Sequence, residues 1–453
     1  MGERKMLSFN HSSLVCTTIN QFFLSFSVLH TSETPQTNGS EPRLCNGGTE
    51  DQNPQTETAG ESPAATASLD ELNQDLLERV LSRLPASSFF RLRSVCKRWS
   101  SVMESATFRL ACSEVPSRDP WFFMVDPHLD RSIVYDTSEN NWKNLNPPSL
   151  LNQTHISNSM PVASAGGLVC FRTVSEEFVV CNPVTGACWE LPKIGPLIKN
   201  QTLHAIAMKC SGDYGLYKLV LVFGEFPDLS IMIYDSMKNA WEEEFTLHRR
   251  FEGTPDSDAV CGDDETVYFL SKTGEVIATN MQRSPSKQYS SIITLEEGAE
   301  VLYFLSSSGT LVGCNLAHKS YIERPRILPV YFEYSIDVIE CNGEVAVVVL
   351  SEFLESASLR VWKFFDGHWT QVAAMNPAMS HEFYGKKADI NCVGCGDSIF
   401  ICVNSGESGG CCCAIMCDLG NNEWVELPKC EVDGRVREFM SAFSFEPRIE
   451  ACV

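Results

Sequence analysis

The sequence predicts two modules: a small all-α unit of three short helices, then an all-β propeller of seven blades, with six as the alternative count. Three observations carry this. Residues 69–103 hold apolar side chains at helical spacing. From Trp121 to Arg448 the chain changes to short strand-and-turn runs with no long helix. Within that region a unit of roughly fifty residues recurs, a period that belongs to blades rather than to helical solenoids. The 453 residues thus divide into an arm at 1–68, helices at 69–115 and a ring at 116–450. Residues 31–68 of the arm are rich in Ser, Thr, Pro, Gly, Gln and acidic side chains, which predicts disorder.

In the first helix, Leu72, Leu76, Val80 and Leu84 follow an i, i+4 stripe, with Leu77 and Leu81 beside it. Asp75, Glu78, Arg79, Ser82 and Arg83 take the other face. Asn73 is the expected N-cap, and Pro85 ends the helix because it has no N–H to give the ladder. A second helix is expected over Ala86 to Arg93, with Phe89, Phe90 and Leu92 apolar. A third starts near Ser94 and places Val95, Trp99 and Val102 on one face, flanked by Cys96 and Met103. A segment of about 35 residues cannot bury a self-sufficient core. Its apolar side chains must be covered by the rest of the chain or by another protein.

The text Leu76-x-x-x-Val80-Leu81-x-x-Leu84-Pro85, followed ten residues later by Val95-Cys96-Lys97-x-Trp99, closely resembles the F-box. That family usually opens with Leu-Pro. Here Asn73 follows Leu72, which removes a proline that pre-sets the first helical turn and leaves the stripe intact. The resemblance implies docking onto a Skp-family adaptor and, through it, onto cullin and RING subunits of an SCF-type ubiquitin ligase. The adaptor-binding residues it implies are Leu72, Leu76, Leu77, Val80, Leu81, Leu84, Pro85, Val95, Cys96, Lys97 and Trp99, some of which must also face the chain's own core.

The repeat runs aromatic or Cys, then Asp or Asn, a polar turn, then Trp. It appears as Tyr135-Asp136 to Trp142, Cys181-Asn182 to Trp189, Tyr234-Asp235 to Trp241 and Cys417-Asp418 to Trp424, with a degenerate copy from Phe365-Asp366 to Trp369. These five Trp residues read as packing residues of the blades. The Asp or Asn begins the hairpin turn by bonding its own backbone, and each Trp is expected to return and pack on the next blade. The 128-residue gap between Trp241 and Trp369 leaves room for two units without Trp, for which Thr266 to Leu270 and Val301 to Leu305 are candidates. Phe439 to Phe445 is expected to pair into the first blade and close the ring, leaving no free edge. With the double glycine at Gly166-Gly167, the region resembles the divergent kelch units of plant F-box/kelch-repeat proteins, which are substrate receptors. That implies a protein target held by the propeller.

Composition narrows the alternatives. Fifty-eight acidic against 35 basic residues give a net charge of −23, which argues against binding nucleic acid or anionic lipid through bulk charge. No stretch has the length to span a bilayer. The apolar run Phe22 to Leu29 is interrupted by Ser25 and Ser27 and makes a poor signal peptide. The 20 cysteines lie mostly singly in strand-like runs and read as reduced small hydrophobes in a reducing compartment, the nucleus or cytoplasm. Cys392-Val393-Gly394-Cys395 has zinc spacing but no second pair follows it, so no metal or other cofactor is expected.

Catalytic groups are not expected either. The nine histidines show no paired spacing, and Asp263-Asp264 beside Gly262 reads as a solvated turn. The rivals to a substrate receptor are an F-box/propeller scaffold outside ubiquitin chemistry and, further off, a propeller enzyme with an axial site. Acidic loops at Glu176-Glu177, Glu242 to Glu244 and Asp256 to Asp264 would favour a basic target.

Overall fold

The computed structural model describes residues 73–453 apart from 126–131, 146–158, 196–200, 211–214, 251–266, 271–275, 280–281, 284–287, 308, 326, 328–334, 354–355, 385–387 and 406–411. The arm at 1–68, Leu72, and the acidic run from Asp256 to Asp264 lie outside the described residues.

Among the described residues four helices precede the ring: α1 (Gln74–Ser82), α2 (Ala86–Arg93), α3 (Lys97–Ser101) and α4 (Ala106–Ser113), with a 3-10 turn at Val102–Glu104. The expected third helix therefore starts three residues later than Ser94, and a fourth completes the unit. Asn73 closes the first turn of α1 through its backbone carbonyl, without a side-chain capping bond. At α4 the hydroxyl of Ser105 does cap, accepting from the Phe108 amide. The buried side chains Leu77, Leu81, Phe89, Trp99, Val102, Phe108 and Cys112 run without a break into Trp121, Phe123 and Val125 of the first blade. The helical unit thus solves its size problem by sharing a core with the ring.

Six blades, each built on four antiparallel strands, follow among the described residues, and three of them carry a short fifth strand. Blade 1 joins Trp121–Val125, Ser132–Asp136 and Asn141–Leu145 to Ser441–Phe445 on its inner edge. Blade 2 is Met160–Ala165, Leu168–Arg172, Phe178–Cys181 and Cys188–Glu190. Blade 3 is Leu203–Cys210, Tyr217–Glu225, Asp228–Asp235 and Ala240–Trp241. Blade 4 is Ser291–Glu296, Ala299–Leu305, Leu311–Asn315 and Ser320–Glu323. Blade 5 is Ser335–Cys341, Glu344–Phe353, Ser356–Phe365 and His368–Ala374, and blade 6 is Ala388–Cys395, Ser398–Ser405, Cys412–Asp418 and Glu423–Glu426.

The innermost strands contact one another in sequence around a closed circle. Ser441–Phe445 pairs with Trp121–Val125 as expected, from Trp121 opposite Phe445 to Val125 opposite Ser441, so the two ends of the ring are held by one blade.

The count of seven is corrected to six. Val301 to Leu305 belongs to the second strand of blade 4, whereas among the described residues Val267–Leu270 pairs only with Val276–Thr279, in a two-stranded hairpin. The long gap between Trp residues therefore holds one blade. Its repeat is Cys314-Asn315 to Tyr321, with the same six-residue offset and a tyrosine in the tryptophan's place.

The turn chemistry follows the expectation in the four full copies and in blade 4, whereas at the degenerate copy the Asp366 backbone carbonyl is bonded by the His368 ring. Asp136, Asn182, Asp235, Asn315 and Asp418 each accept a backbone N–H two or three residues on. The packing direction of the Trp residues differs from it. The indole N–H of Trp142 donates to the Pro428 carbonyl, that of Trp241 to Pro192 and that of Trp369 to Pro325. Each of these prolines follows the last strand of the preceding blade, so the ring is laced backwards. Trp189 alone reaches forward, to Asn239 of blade 3, and Trp424 bonds Asn422 in its own turn.

Candidate functional site: an uncovered helical face

α1 sorts the expected docking residues by facing. Leu77 and Leu81 are 0% and 3% exposed and lie in the shared core with Trp99 at 5%. Leu76 and Val80, one turn apart on the stripe, are 52% and 46% exposed, and Val95 beyond α2 is 66% exposed. Pro85 and Lys97 are exposed, while Leu84 and Cys96 are half-buried against the core. The expectation that Glu78 and Ser82 face water is reversed, since both are buried. Glu78 is satisfied by Thr107 of α4 at 2.5 Å and Gln74 at 2.9 Å, and Ser82 bonds the Arg79 carbonyl. Two polar side chains of α1 are thus folded inwards while Asp75 and Arg79 stay exposed, and the Leu76–Val80 pair is turned outwards, which solvation alone would not give.

What fixes this face is a polar joint between the helices and the ring. Ser87 and Arg91 of α2 both bond Glu139 in the turn of blade 1, and Glu139 pairs with Lys143 at 2.7 Å. Lys143 also pairs with Asp136 at 2.6 Å, both side chains being almost fully buried, and lies over the Trp121 ring. Arg118 in the linker donates to the Ser82 and Leu84 carbonyls at 2.8 and 3.2 Å, satisfying the C-terminal end of α1. Arg448 donates to the Val115 and Pro116 carbonyls at 3.0 Å and pairs with Glu446 and Glu450. None of Ser87, Arg118, Glu139, Lys143 or Arg448 was identifiable in the sequence, where nothing in their spacing links them.

The joint is sensitive to acid. Burial by itself would raise the Asp136 carboxyl, but hydrogen bonds from Lys143, Ser138 and Ser87 outweigh it and hold the group below the usual aspartate range. Glu139 is lowered in the same way, its burial offset by Lys143, Ser87 and Arg91. A carboxyl lowered on folding adds stability that is complete above its unfolded pKa and is lost as pH falls through the folded one. Resistance of the linker at 114–119 to proteolysis should therefore hold from neutral pH down to about pH 4 and fail below it. Lys143→Met should shift the onset of failure to higher pH, and an unchanged onset would remove Asp136 and Glu139 as its cause.

Elsewhere the ring offers little chemistry. Cys392 and Cys395 stand three residues apart on one strand, so their side chains leave opposite faces. Cys392 enters the interface with blade 5 and Cys395 the one with blade 1. The two thiols of the zinc-like spacing therefore do not converge. Among the described residues no group of three or more His, Cys, Asp or Glu is placed to hold a metal. The acidic loop at Glu176-Glu177 is tied to Arg172 and Lys193, and Arg172 stacks on Tyr289. Glu243 and Glu244 are exposed.

Comparison with known proteins agrees with this division. The F-box domain model matches residues 69–110 and the KIB1-4 beta-propeller model matches residues 134–390. The structure extends the ring beyond that match at both ends, through Trp121 and Phe445. "F-box only protein 13" of Arabidopsis thaliana is 48% identical over 397 residues, covering 85% of this chain and 86% of the relative. "F-box only protein 6" of the same plant is 27% identical over 382 residues, 81% of this chain and 71% of the relative. The description matched to the ring is KIB1-4, in place of the kelch type expected from the repeat.

Proposed function

The chain belongs to the F-box proteins that carry a KIB1-4 β-propeller, and from that premise we propose that it is the substrate-recognition subunit of an SCF-type ubiquitin ligase, acting in the nucleus or cytoplasm. The observation that carries the reading is the exposed Leu76–Val80 pair on a helix whose Glu78 and Ser82 are turned inward. Two apolar side chains at this spacing suit the groove of a Skp-family adaptor, with Val95, Pro85 and Lys97 at the margin. The chain supplies no acid, base or nucleophile in this reading. The propeller holds a target protein, the adaptor brings cullin and RING, and ubiquitin transfer gains from raised effective concentration. The polar joint matters because a rigid link keeps the target at a fixed reach from the transferring enzyme.

A net charge of −23 and the exposed acidic side chains of the ring favour a basic target. Reconstitution tests the assignment: purified full chain, Skp-family adaptor, cullin, RING and ubiquitin-conjugating enzyme, with chain ubiquitination as the readout. Transfer that requires the wild-type Leu76–Val80 face is expected. A complex that assembles in full and transfers nothing would instead make the chain a scaffold outside ubiquitin chemistry.

A further inference from the structure

In five blades one cross-strand position holds an aromatic ring. Trp142 stands opposite Tyr135, Trp241 opposite Tyr234, Tyr321 opposite Cys314, Trp369 opposite Phe364 and Trp424 opposite Cys417. Blade 2 breaks the rule. Its turn has the same length, with Asn182 opposite Ala187 as Asp136 is opposite Asn141, yet its tryptophan comes one residue late. A one-residue slip moves a side chain to the other face. Trp189 is accordingly 41% exposed, and Cys188 occupies the aromatic position directly opposite Cys181.

The pair lies in the register that suits a crosslink. Asn182 donates to Ala187 at 2.9 Å and Leu191 to Phe178 at 2.9 Å, so these are hydrogen-bonded pairs and Cys181 with Cys188 is a non-hydrogen-bonded one. Such pairs bring Cα atoms to about 4.5 Å, inside the roughly 4.4–6.8 Å range of disulfides. Both side chains are on the face with Val179 and Phe171, and the Cys188 thiol donates to the Gly186 carbonyl at 3.4 Å. Cys181 is buried and Cys188 half-exposed.

We propose that Cys181 and Cys188 are a two-electron redox site that reacts with low-molecular-weight disulfides such as oxidised glutathione. The Cys188 thiolate attacks the glutathione disulfide, forming a mixed disulfide and releasing one glutathione thiol. Cys181 then gives up its proton and attacks the Cys188 sulfur, releasing the second. One S–S bond forms in the chain, one breaks in the reagent, and the reagent takes up two electrons. The order is set by access and by burial, which pushes the Cys181 thiol well up and keeps it from acting first. The crosslink would close the hairpin of Asn182, whose amide holds the Arg448 and Ala451 carbonyls of the C-terminal segment.

The test equilibrates the full chain in glutathione redox buffers, alkylates the remaining thiols and maps peptides without reduction. A Cys181–Cys188 linked peptide, lighter by two hydrogens, is expected at a potential where the exposed Cys452 carries glutathione or remains a thiol. Cys181→Ala should trap Cys188 as a lasting glutathione adduct, and Cys188→Ser should leave Cys181 a thiol. The proposal is overturned if wild-type Cys188 retains glutathione, or if both thiols stay open to alkylation once Cys452 has been modified.

Discussion

Replacing Leu76 and Val80 together by Asp will weaken binding of a Skp-family adaptor by about 100-fold or more while leaving the unfolding transition within about 0.5 kcal/mol of wild type. Burying a Leu or Val side chain at an interface is worth about 1.5–3 kcal/mol, and about 1.4 kcal/mol is a tenfold change in affinity. With about half of each side chain already covered, the two losses together are worth about 1.5–3 kcal/mol, and the cost of pressing carboxylates against an apolar groove carries the total past the stated figure. Stability is spared because both side chains are about half exposed in the free chain.

The contrast is with Leu81→Asp or Trp99→Ala, which remove parts of the shared core. Trp99→Ala should cost about 3–5 kcal/mol, and Leu81→Asp strands a charge among Phe89, Val102 and Phe108. Those variants would lose adaptor binding by unfolding the helices, so they say nothing about which atoms touch the adaptor. Titration calorimetry with purified adaptor, alongside thermal melts, separates the two classes. Wild-type affinity in the Leu76/Val80 double variant would refute the docking face.

The same residues show how far sequence reading reaches. The i, i+4 periodicity of Leu76 and Val80 gave the helix correctly, yet periodicity is blind to which face is covered. Glu78 and Ser82 went inward because Thr107 and the Arg79 carbonyl were there to satisfy them, and those partners come from tertiary structure. The blade repeat was legible from Asp or Asn turns and Trp returns. Blade 4 was hidden because Tyr321 fills the position as well as a tryptophan does, packing its ring and giving its hydroxyl to the Pro227 carbonyl. The hairpin at Val267–Leu270 imitated a blade because a strand pair has the same local pattern whether or not two more strands join it. The joint was not legible at all: Arg448 meets Pro116 from 332 residues away, and no local spacing records such a contact.

Arg448→Met will destabilise the chain by about 3–5 kcal/mol, the range for breaking a buried ion pair by removing one partner. The side chain is 1% exposed and lies between Glu446 at 2.6 Å and Glu450 at 3.0 Å. Methionine fills much of the space but leaves the nearly buried Glu450 carboxylate without its cation and removes the bonds that Arg448 gives the Val115 and Pro116 carbonyls. Because those carbonyls belong to the linker between α4 and Trp121, the loss should fall first on the joint. Hydrogen exchange at 114–119 should quicken before exchange in the blades does.

Adding Glu450→Gln to Arg448→Met removes the stranded charge and should recover part of the lost stability, which a mere packing defect at Arg448 would not allow. The functional consequence separates rigidity from binding. With the Leu76–Val80 face untouched, adaptor affinity should stay at the wild-type value, while ubiquitin transfer to a target held by the ring should slow because its reach is no longer fixed. Equal stability and equal transfer in Arg448→Met would mean that the C-terminal segment merely decorates blade 2, and that the helices and the ring are held by the Asp136–Lys143–Glu139 network and the shared apolar core alone.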